Sequence, residues 1–131
     1  MKNKCFYNRF LSLVLIGWIF SGVCYSKGAD LIGKWQWKNE ISGELILNSN
    51  NTYSLLSHWN GISVWESGQF SVTNNLIHFV IEDYEPKEYG IPPKKLIWPK
   101  ESSLIYRFIS KDHIEFKNNT FGTRWDAYRD R

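Results

Sequence analysis

Few side chains in this 131-residue chain have the type and spacing that metal binding requires. Histidine is the commonest metal ligand, yet His58, His78 and His113 are far apart in the chain and no cysteine pair accompanies them. We therefore predict no metal site and no cofactor. Strand alternation places His78 with Leu76 and Val80, and this favours a core-facing or edge histidine whose ring is hydrogen-bonded.

Catalytic groups are equally scarce. Carboxylates that could form an acid–base pair cluster in one segment, as Glu82, Asp83, Glu85 and Glu88. Lysines such as Lys87, Lys94 and Lys95 are interspersed among them or follow them, and this mixture is typical of a solvated charged surface. The sequence contains neither a Gly-x-Ser-x-Gly nucleophile motif nor a Gly-rich phosphate loop. We expect no catalytic residue and no enzymatic activity.

The positive signal is a group of large aromatic side chains in a proline-rich segment. Residues 83–102 contain all four prolines together with Tyr84, Tyr89 and Trp98. Large rings give contact area at a low cost in side-chain entropy, so these three are our candidate ligand- or partner-binding residues. The alternative is a loop held in place by its own apolar side chains. Proline cannot donate to a strand ladder, so we expect this segment to be a long loop that packs on the barrel or over one of its mouths.

The rest of the chain after residue 31 has the pattern of short strands joined by tight turns. Residues 32–39 alternate strictly, with Trp35 and Trp37 on one face, and Asn-rich or Asn-Gly turns separate the following segments. Gly68 is expected to mark a bulge or bend. The expected strands are 32–39, 43–48, 52–59, 62–66, 69–73, 76–82, 103–110, 113–117 and 121–129. The predicted fold is all-β, an antiparallel meander of about eight strands that forms a small barrel, with a β-sandwich as the alternative.

Residues 1–26 have the three parts of a secretory signal peptide. A basic start is followed by the apolar residues 10–20 and by a small-residue end, and cleavage is acceptable after Ser26 or Cys24. The apolar run is shorter than the roughly 20 residues of a spanning helix. We therefore predict a domain at 27–131 that is periplasmic or secreted and has no membrane span after cleavage. Cys24 leaves a lipid anchor open, although Val23 before it departs from the lipoprotein pattern.

Removal of that segment changes the charge and the cysteine content. The formal net charge of +3 comes from Lys2, Lys4 and Arg9, and the remaining thirteen basic and thirteen acidic residues balance. A neutral domain argues against nucleic-acid binding, which needs a basic patch. Both cysteines, Cys5 and Cys24, lie in the signal, so a disulfide-free core must be stabilised by its many aromatic side chains.

Several short motifs resemble those of the lipocalin-like (calycin) barrels, and most closely the small bacterial domains of this type in exported proteins. They are a Gly-Lys-Trp on the first strand beginning at Gly33, an apolar strand with an Asn-rich turn and Thr-Tyr at 47–53, the Glu-Ser-Gly-Gln-Phe step beginning at Glu66, and arginines on the closing strand. The resemblance implies that Trp35 plugs the closed end of the barrel and that Arg124 or Arg129 lies across its ring. The chain is shorter than most lipocalins, so we expect its cavity to be small or filled by side chains.

Two functions follow as hypotheses. One is an extracytoplasmic binding module that takes a small apolar or amphipathic ligand at the barrel mouth, beneath the proline-rich loop. The other is a protein–protein interaction module, such as a periplasmic inhibitor or immunity-type protein, that uses the same loop and an exposed strand edge. A solvent-accessible apolar cavity beyond about 300 Å³ favours the first, whereas a filled barrel with an exposed aromatic patch favours the second.

Overall fold

The computed structural model describes residues 28–39, 41–59 and 61–131, and these form a closed antiparallel β-barrel. A 3₁₀ helix, Ala29–Leu31, precedes the first strand. The strands are β1 (Gly33–Lys38), β2 (Ser42–Leu47), β3 (Thr52–Trp59), β4 (Ile62–Thr73), β5 (Leu76–Glu85), β6 (Glu88–Tyr89), β7 (Lys94–Lys95), β8 (Glu101–Ser110), β9 (His113–Asn118) and β10 (Arg124–Asp130). The predicted signal peptide and its cleavage site lie outside the described residues.

Eight of these strands make the barrel wall, in the order β1-β10-β9-β8-β5-β4-β3-β2, and β6 pairs only with β7. The predicted all-β antiparallel meander is confirmed, and the barrel is found rather than the sandwich. β1 pairs with β10, so the wall has no edge strand among the described residues. Among the described residues, an exposed strand edge of the kind expected for a protein-binding module is therefore absent from the barrel wall, whereas β6 and β7 form a separate two-stranded sheet.

The predicted alternation of inward and outward side chains accounts for the core. Trp35, Trp37, Leu45 and Leu47 are buried, while the residues between them point outward. The expectation of a core-facing His78 is wrong: its neighbours Ile77 and Phe79 are buried, so His78 lies on the outer wall beside the half-exposed Val80. Within residues 28–39, 41–59 and 61–131, no helix has the length and apolarity to cross a membrane.

Gly68 lies at the predicted irregularity. The register between β4 and β5 shifts between Ser67 and Gly68, and a Cβ on Gly68 would lie 1.9 Å from the carbonyl oxygen of Val80. Only glycine allows this close backbone approach. β4 therefore continues through the bulge as a single strand, where the sequence predicted two short ones.

The proline-rich loop is shorter than predicted. β5 extends to Glu85 and β8 begins at Glu101, so the irregular segment is residues 86–100, which we call the connector. Its limits agree with the first and last prolines, Pro86 and Pro99, since strand pairing can continue until a residue lacks its N–H. The small β6–β7 hairpin lies within the connector, and Tyr84 belongs to a barrel strand rather than to a loop.

The meander gives the barrel two different ends. At one end, which we call the closed end, lie the 3₁₀ helix and the turns at 48–51, 74–75 and 111–112. Asn51 and Asn74 have positive φ angles of 66° and 55° in two of these turns, as expected for asparagine. At the other end, which we call the mouth, lie the β1–β2, β3–β4 and β9–β10 turns and the connector.

Candidate functional site

Trp35, from the first strand, lies in the core at the closed end. Its side chain is fully buried, and its indole Nε1 donates a hydrogen bond to the carbonyl oxygen of Leu31 at 2.9 Å. Leu31 belongs to the 3₁₀ helix and is also fully buried. The ring of Phe108 packs edge-on against Trp35 with centroids 6.0 Å apart. The 3₁₀ helix, the indole of Trp35 and the ring of Phe108 therefore pack together at this end of the barrel.

Arg129 lies over the ring of Trp35, with its guanidinium carbon 4.3 Å from the ring centroid. The same guanidinium donates hydrogen bonds to the carbonyl oxygens of Ile32 and Asp30 at 2.8 and 2.6 Å, and forms an ion pair with Asp112 at 3.4 Å. Arg124 lies at the opposite end of the same strand, where its side chain is mostly exposed and contacts Glu115 at 3.7 Å. Arg129 of β10 therefore contacts both the segment before β1 and the turn at 111–112 at the closed end, and Arg124 does not.

The mouth differs from the closed end because its turns and connector expose apolar side chains. Among the described residues, the exposed large hydrophobic side chains at the mouth are Ile41, Trp59, Tyr89, Ile91, Ile97 and Phe121. Every connection at this end contains one of them or, as with Trp59 at the end of β3, directly follows one, and Ile91 is completely exposed. The three elsewhere are Val80, Ile109 and Tyr128. We call the six residues at the mouth the apolar rim.

Inside the mouth, a carboxyl group is buried. Glu66 of β4 is only 4% exposed, although its neighbours along the inner face of the strand are apolar or glycine. Its Oε2 accepts a hydrogen bond of 2.6 Å from the indole Nε1 of Trp98, and its Oε1 accepts a longer one of 3.4 Å from the hydroxyl of Tyr53. Both donors are neutral, so the carboxyl has hydrogen bonds without a compensating positive charge.

Strand geometry explains why Glu66 points inward. It lies two residues before Gly68 on β4, and it is paired with Leu55 of β3 and with Tyr84 of β5. The wall residues on either side of it, Trp65 and Ser67, are on the outer face by alternation. The bulge at Gly68 brings Tyr84 opposite Glu66, and the aromatic connector then covers the carboxyl.

The connector covers this carboxyl through an aromatic stack. Tyr84 and Trp98 lie nearly parallel, 17° apart, with ring centroids separated by 5.8 Å. The hydroxyl of Tyr84 donates a hydrogen bond of 3.3 Å to the carbonyl oxygen of Leu96, and the ammonium of Lys87 lies 3.8 Å from the centroid of the Tyr84 ring. Tyr89, the third predicted binding residue, is exposed on β6 and is not part of this stack.

The buried position changes the acidity of the carboxyl and of its phenol neighbour. Burial raises the pKa of Glu66 above its ordinary value of 4.5, while the hydrogen bonds from Trp98 and Tyr53 act in the opposite direction. Burial, and then the charge of Glu66, raise the pKa of the Tyr53 hydroxyl. Tyr53 therefore remains protonated and continues to donate to the carboxyl at neutral pH.

The opposite wall of the mouth is lined by further rings. Trp125 of β10 packs against Trp37 and Phe116, with centroid distances of 5.9 and 5.8 Å. Trp37 in turn covers Gly43, where a Cβ would lie 2.4 Å from the indole. The indole Nε1 of Trp125 is buried and has no hydrogen-bond acceptor among the described residues. Among the described residues, the indole N–H of Trp125 is thus a hydrogen-bond donor without an acceptor at the mouth. It lies on the wall opposite Glu66, because β10 and β4 are four strands apart around the barrel.

The histidines do not come together. His58 contacts the hydroxyl of Ser63 at 2.8 Å, His78 lies 3.9 Å from Glu101, and His113 is 2.8 Å from Asp126. In the described part of the chain, no group of three or more His, Cys, Asp or Glu side chains is arranged to hold a metal ion.

Sequence reasoning named two members of the site, Tyr84 and Trp98, and missed Glu66 and Tyr53. The signal for Glu66 was present, because positions 64, 66, 68, 70 and 72 share one face and all but Glu66 are apolar or glycine. A charged residue on the inner face of a barrel strand is uncommon unless it is paired or functional. Its contact with Trp98, 32 residues later, depends on the path of the connector and is not encoded locally.

A comparison with models of known protein families gave no match, and a comparison with curated protein sequences gave none either.

Proposed function

We propose that this chain is a lipocalin-like, exported binding protein, periplasmic or secreted, that takes a small amphipathic ligand at its mouth. The observation that carries the proposal is the apolar rim, which places an exposed hydrophobic side chain on or next to every connection at one end of the barrel. Exposed apolar groups concentrated around one opening are typical of a binding site rather than of a stable surface.

The lipocalin-like part of the proposal is supported by the closed end. The resemblance implied an arginine of the last strand over the ring of Trp35, and Arg129 lies 4.3 Å from that ring. A sealed end is useful to a binding barrel because it leaves the other end as the entrance. The export part of the proposal is supported by the pattern of residues 1–26 in the sequence.

The interior of the mouth supports a ligand with both polar and apolar parts. Trp37 and Trp125 place packed apolar rings at one wall, and Glu66 is a buried polar group at the opposite wall. Pockets for small molecules combine a largely apolar lining with few polar groups that fix orientation. We infer that the rim receives the apolar part of the ligand and that the polar part is directed toward the interior.

The proposal is tested by titrating the processed protein with the neutral hydrophobic dye N-phenyl-1-naphthylamine and measuring dye fluorescence. Two rim variants, Ile41→Ser and Trp59→Ser, should each weaken dye binding by about threefold to tenfold because apolar contact area is lost. Two control variants have matched exposure on the outer wall. Val80 is 42% exposed against 44% for Ile41, and Tyr128 is 55% exposed against 54% for Trp59.

The two control variants show whether the dye binds at the mouth or to any exposed apolar surface. Val80→Ser and Tyr128→Ser should bind the dye within about twofold of the parent protein, because neither residue lies at the mouth. Equal losses in rim and wall variants would mean that the dye adsorbs wherever apolar surface is exposed. No binding by the parent protein would remove the ligand proposal.

A protein–protein interaction module is the second candidate, and the connector favours it. Ile91 and Ile97 are almost completely exposed there, and they lie on either side of the short strand β7. Apolar side chains that project this far are typical of a surface that a protein covers. Absence of dye binding, together with a purified partner whose affinity falls at least tenfold on Ile91→Ser and Ile97→Ser, would favour this function over the first.

A further inference from the structure

We infer that the ligand of the mouth is a cationic amphiphile, an ammonium group on an apolar body, whose ammonium pairs with the carboxylate of Glu66. This inference rests on the proposed ligand-binding function and names the chemical class of the ligand. It goes beyond the apolar rim, which by itself would accept anionic, neutral and cationic amphiphiles equally.

The carboxyl of Glu66 has no positively charged partner among the described residues. The two hydrogen-bond donors to Glu66 are an indole N–H and a phenol hydroxyl, and both are neutral. No basic side chain among the described residues forms an ion pair with this carboxyl. Pairing with a cation stabilises a buried carboxylate, and among the described residues the barrel wall supplies no such cation to Glu66.

The charge of Glu66 disfavours the binding of anionic ligands at the mouth. A fatty-acid carboxylate or an alkyl sulfate that entered the mouth would bring a second negative charge toward Glu66 in a poorly solvated space. Like charges at close range in such a space repel strongly, so the buried carboxyl discriminates against these ligands. An ammonium group gains a charge-assisted hydrogen bond at the same position.

Aromatic side chains surround the carboxyl of Glu66. Tyr84 and Trp98 stack above the carboxyl, and Tyr53 donates to it from the neighbouring strand. Aromatic faces attract cations, and Lys87 already lies 3.8 Å from the centroid of the Tyr84 ring. Rings together with a carboxylate form the combination that recognises organic ammonium groups.

Access to the carboxyl requires Trp98 to move. Trp98 lies on the connector, and its indole N–H occupies Oε2 of Glu66. Much of the connector is exposed, and its polar attachments to the barrel strands include a backbone hydrogen bond from Ile81 to Lys100 and the bond from Tyr84 to Leu96. The ammonium N–H of the ligand takes the place of the indole N–H, so the hydrogen bond that is broken is replaced by a charged one.

The test compares three ligands with the same apolar chain and different head groups: decylammonium, decan-1-ol and decanoate. Binding to the processed protein is measured by isothermal titration calorimetry at pH 7, below the concentrations at which the ligands form micelles. An alkylamine is protonated at this pH. Decylammonium should bind about 10- to 100-fold more tightly than decan-1-ol, and decanoate should bind most weakly.

Two charge variants separate the buried carboxyl from general surface charge. Glu66→Gln keeps an oxygen that accepts from Trp98 and removes the charge, so decylammonium should bind about 10- to 100-fold more weakly while decan-1-ol is unchanged. Glu85→Gln removes an exposed carboxyl one residue beyond Tyr84 on β5, and should leave both affinities within about twofold. Equal losses in the two variants would overturn the inference, since the cation would then bind to surface charge.

A third variant tests the displacement of the indole. Trp98→Phe keeps an aromatic ring and removes the N–H that competes for Oε2 of Glu66, so decylammonium should bind at least as tightly as to the parent protein. Loss of binding in this variant would overturn the displacement. If all three ligands bind equally well to the parent protein, the ligand proposal stands and the cationic inference fails. If none binds, both fail.

Discussion

The two ends of this barrel are made from the same alternating strands, yet they distribute polar and apolar groups in opposite ways. At the closed end, Trp35 and Leu31 are fully buried and the connecting turns are short and rich in Asn, Lys and Asp. At the mouth, the carboxyl of Glu66 is buried and the connections expose large apolar side chains. The closed end therefore buries apolar side chains and exposes polar ones, as a stable domain does. The mouth buries a carboxyl group and exposes apolar side chains.

Within one sheet, the contacts that stabilise the fold and the groups that are candidates for binding lie at opposite ends. At the closed end, Arg129 joins neighbouring segments by donating hydrogen bonds to the carbonyl oxygens of Asp30 and Ile32. The mouth retains features that folding alone does not favour, namely an uncompensated carboxyl and the unpartnered indole N–H of Trp125 among the described residues. Local departures of this kind are expected where a protein binds something.

The largest effect should come from the closed end. Trp35→Ala removes a fully buried indole and its hydrogen bond, and should lower the free energy of unfolding by about 3–5 kcal/mol. Trp59→Ala at the mouth removes a half-exposed ring, and should change it by no more than about 0.5 kcal/mol. Urea denaturation followed by circular dichroism measures both. A loss below about 1 kcal/mol for Trp35→Ala would mean that this side chain does not seal the barrel.

Two arginines of one strand offer a second contrast between the ends. Arg129→Ala removes hydrogen bonds to two carbonyl oxygens and a cation–π contact, and should cost about 1–3 kcal/mol in the same assay. Arg124→Ala removes one exposed ion pair and should cost less than about 1 kcal/mol. Equal effects would show that the closed end is not the more strongly fastened of the two.

The pH dependence of stability should identify the buried carboxyl. The pKa of Glu66 is raised above 4.5 in the folded protein, so its contribution to stability is full below that value and is lost as pH rises through the folded pKa. Glu66→Gln lacks this loss. The free energy of unfolding of the variant relative to the parent should therefore increase from pH 4 to pH 7. A difference that decreases with pH would contradict the raised pKa.

The smallest effect should come from the apolar rim. Ile41→Ser and Phe121→Ser replace exposed side chains, so each should change the free energy of unfolding by less than about 0.5 kcal/mol. Losses above about 1 kcal/mol would mean that the rim packs on the barrel and serves stability instead. Thermal unfolding of both variants beside the parent protein measures these changes and also checks that Ile41→Ser, which is used in the dye titration, is folded.

The sequence predicted the wall of the barrel far better than the site. Strands such as β1 and β3 follow from alternation alone, because each side-chain position along a strand determines its face. The bulge at Gly68 was also predictable, since a glycine inside a strand pattern indicates close backbone approach. Strand β5 was predicted too short, because its acidic residues after Glu82 do not resemble a strand sequence, although Asp83 and Glu85 are paired with β4.

The site depends on contacts between distant parts of the chain. Which arginine covers Trp35 was left open between Arg124 and Arg129, because the answer depends on the register between β1 and β10. The bond between Trp98 and Glu66 depends on how the connector returns over the mouth. Tertiary register and loop path of this kind are not encoded in local alternation, whereas the inward position of Glu66 is.

The central claim is that one end of the barrel is sealed and the other binds. The indole N–H signals in a proton–nitrogen correlation spectrum of the ¹⁵N-labelled, processed protein test it directly. Trp35 donates to Leu31 at the closed end, and Trp98 donates to Glu66 at the mouth. On titration with decylammonium, the Trp98 signal should shift and the Trp35 signal should remain in place. A shift of the Trp35 signal with an unchanged Trp98 signal would contradict the account.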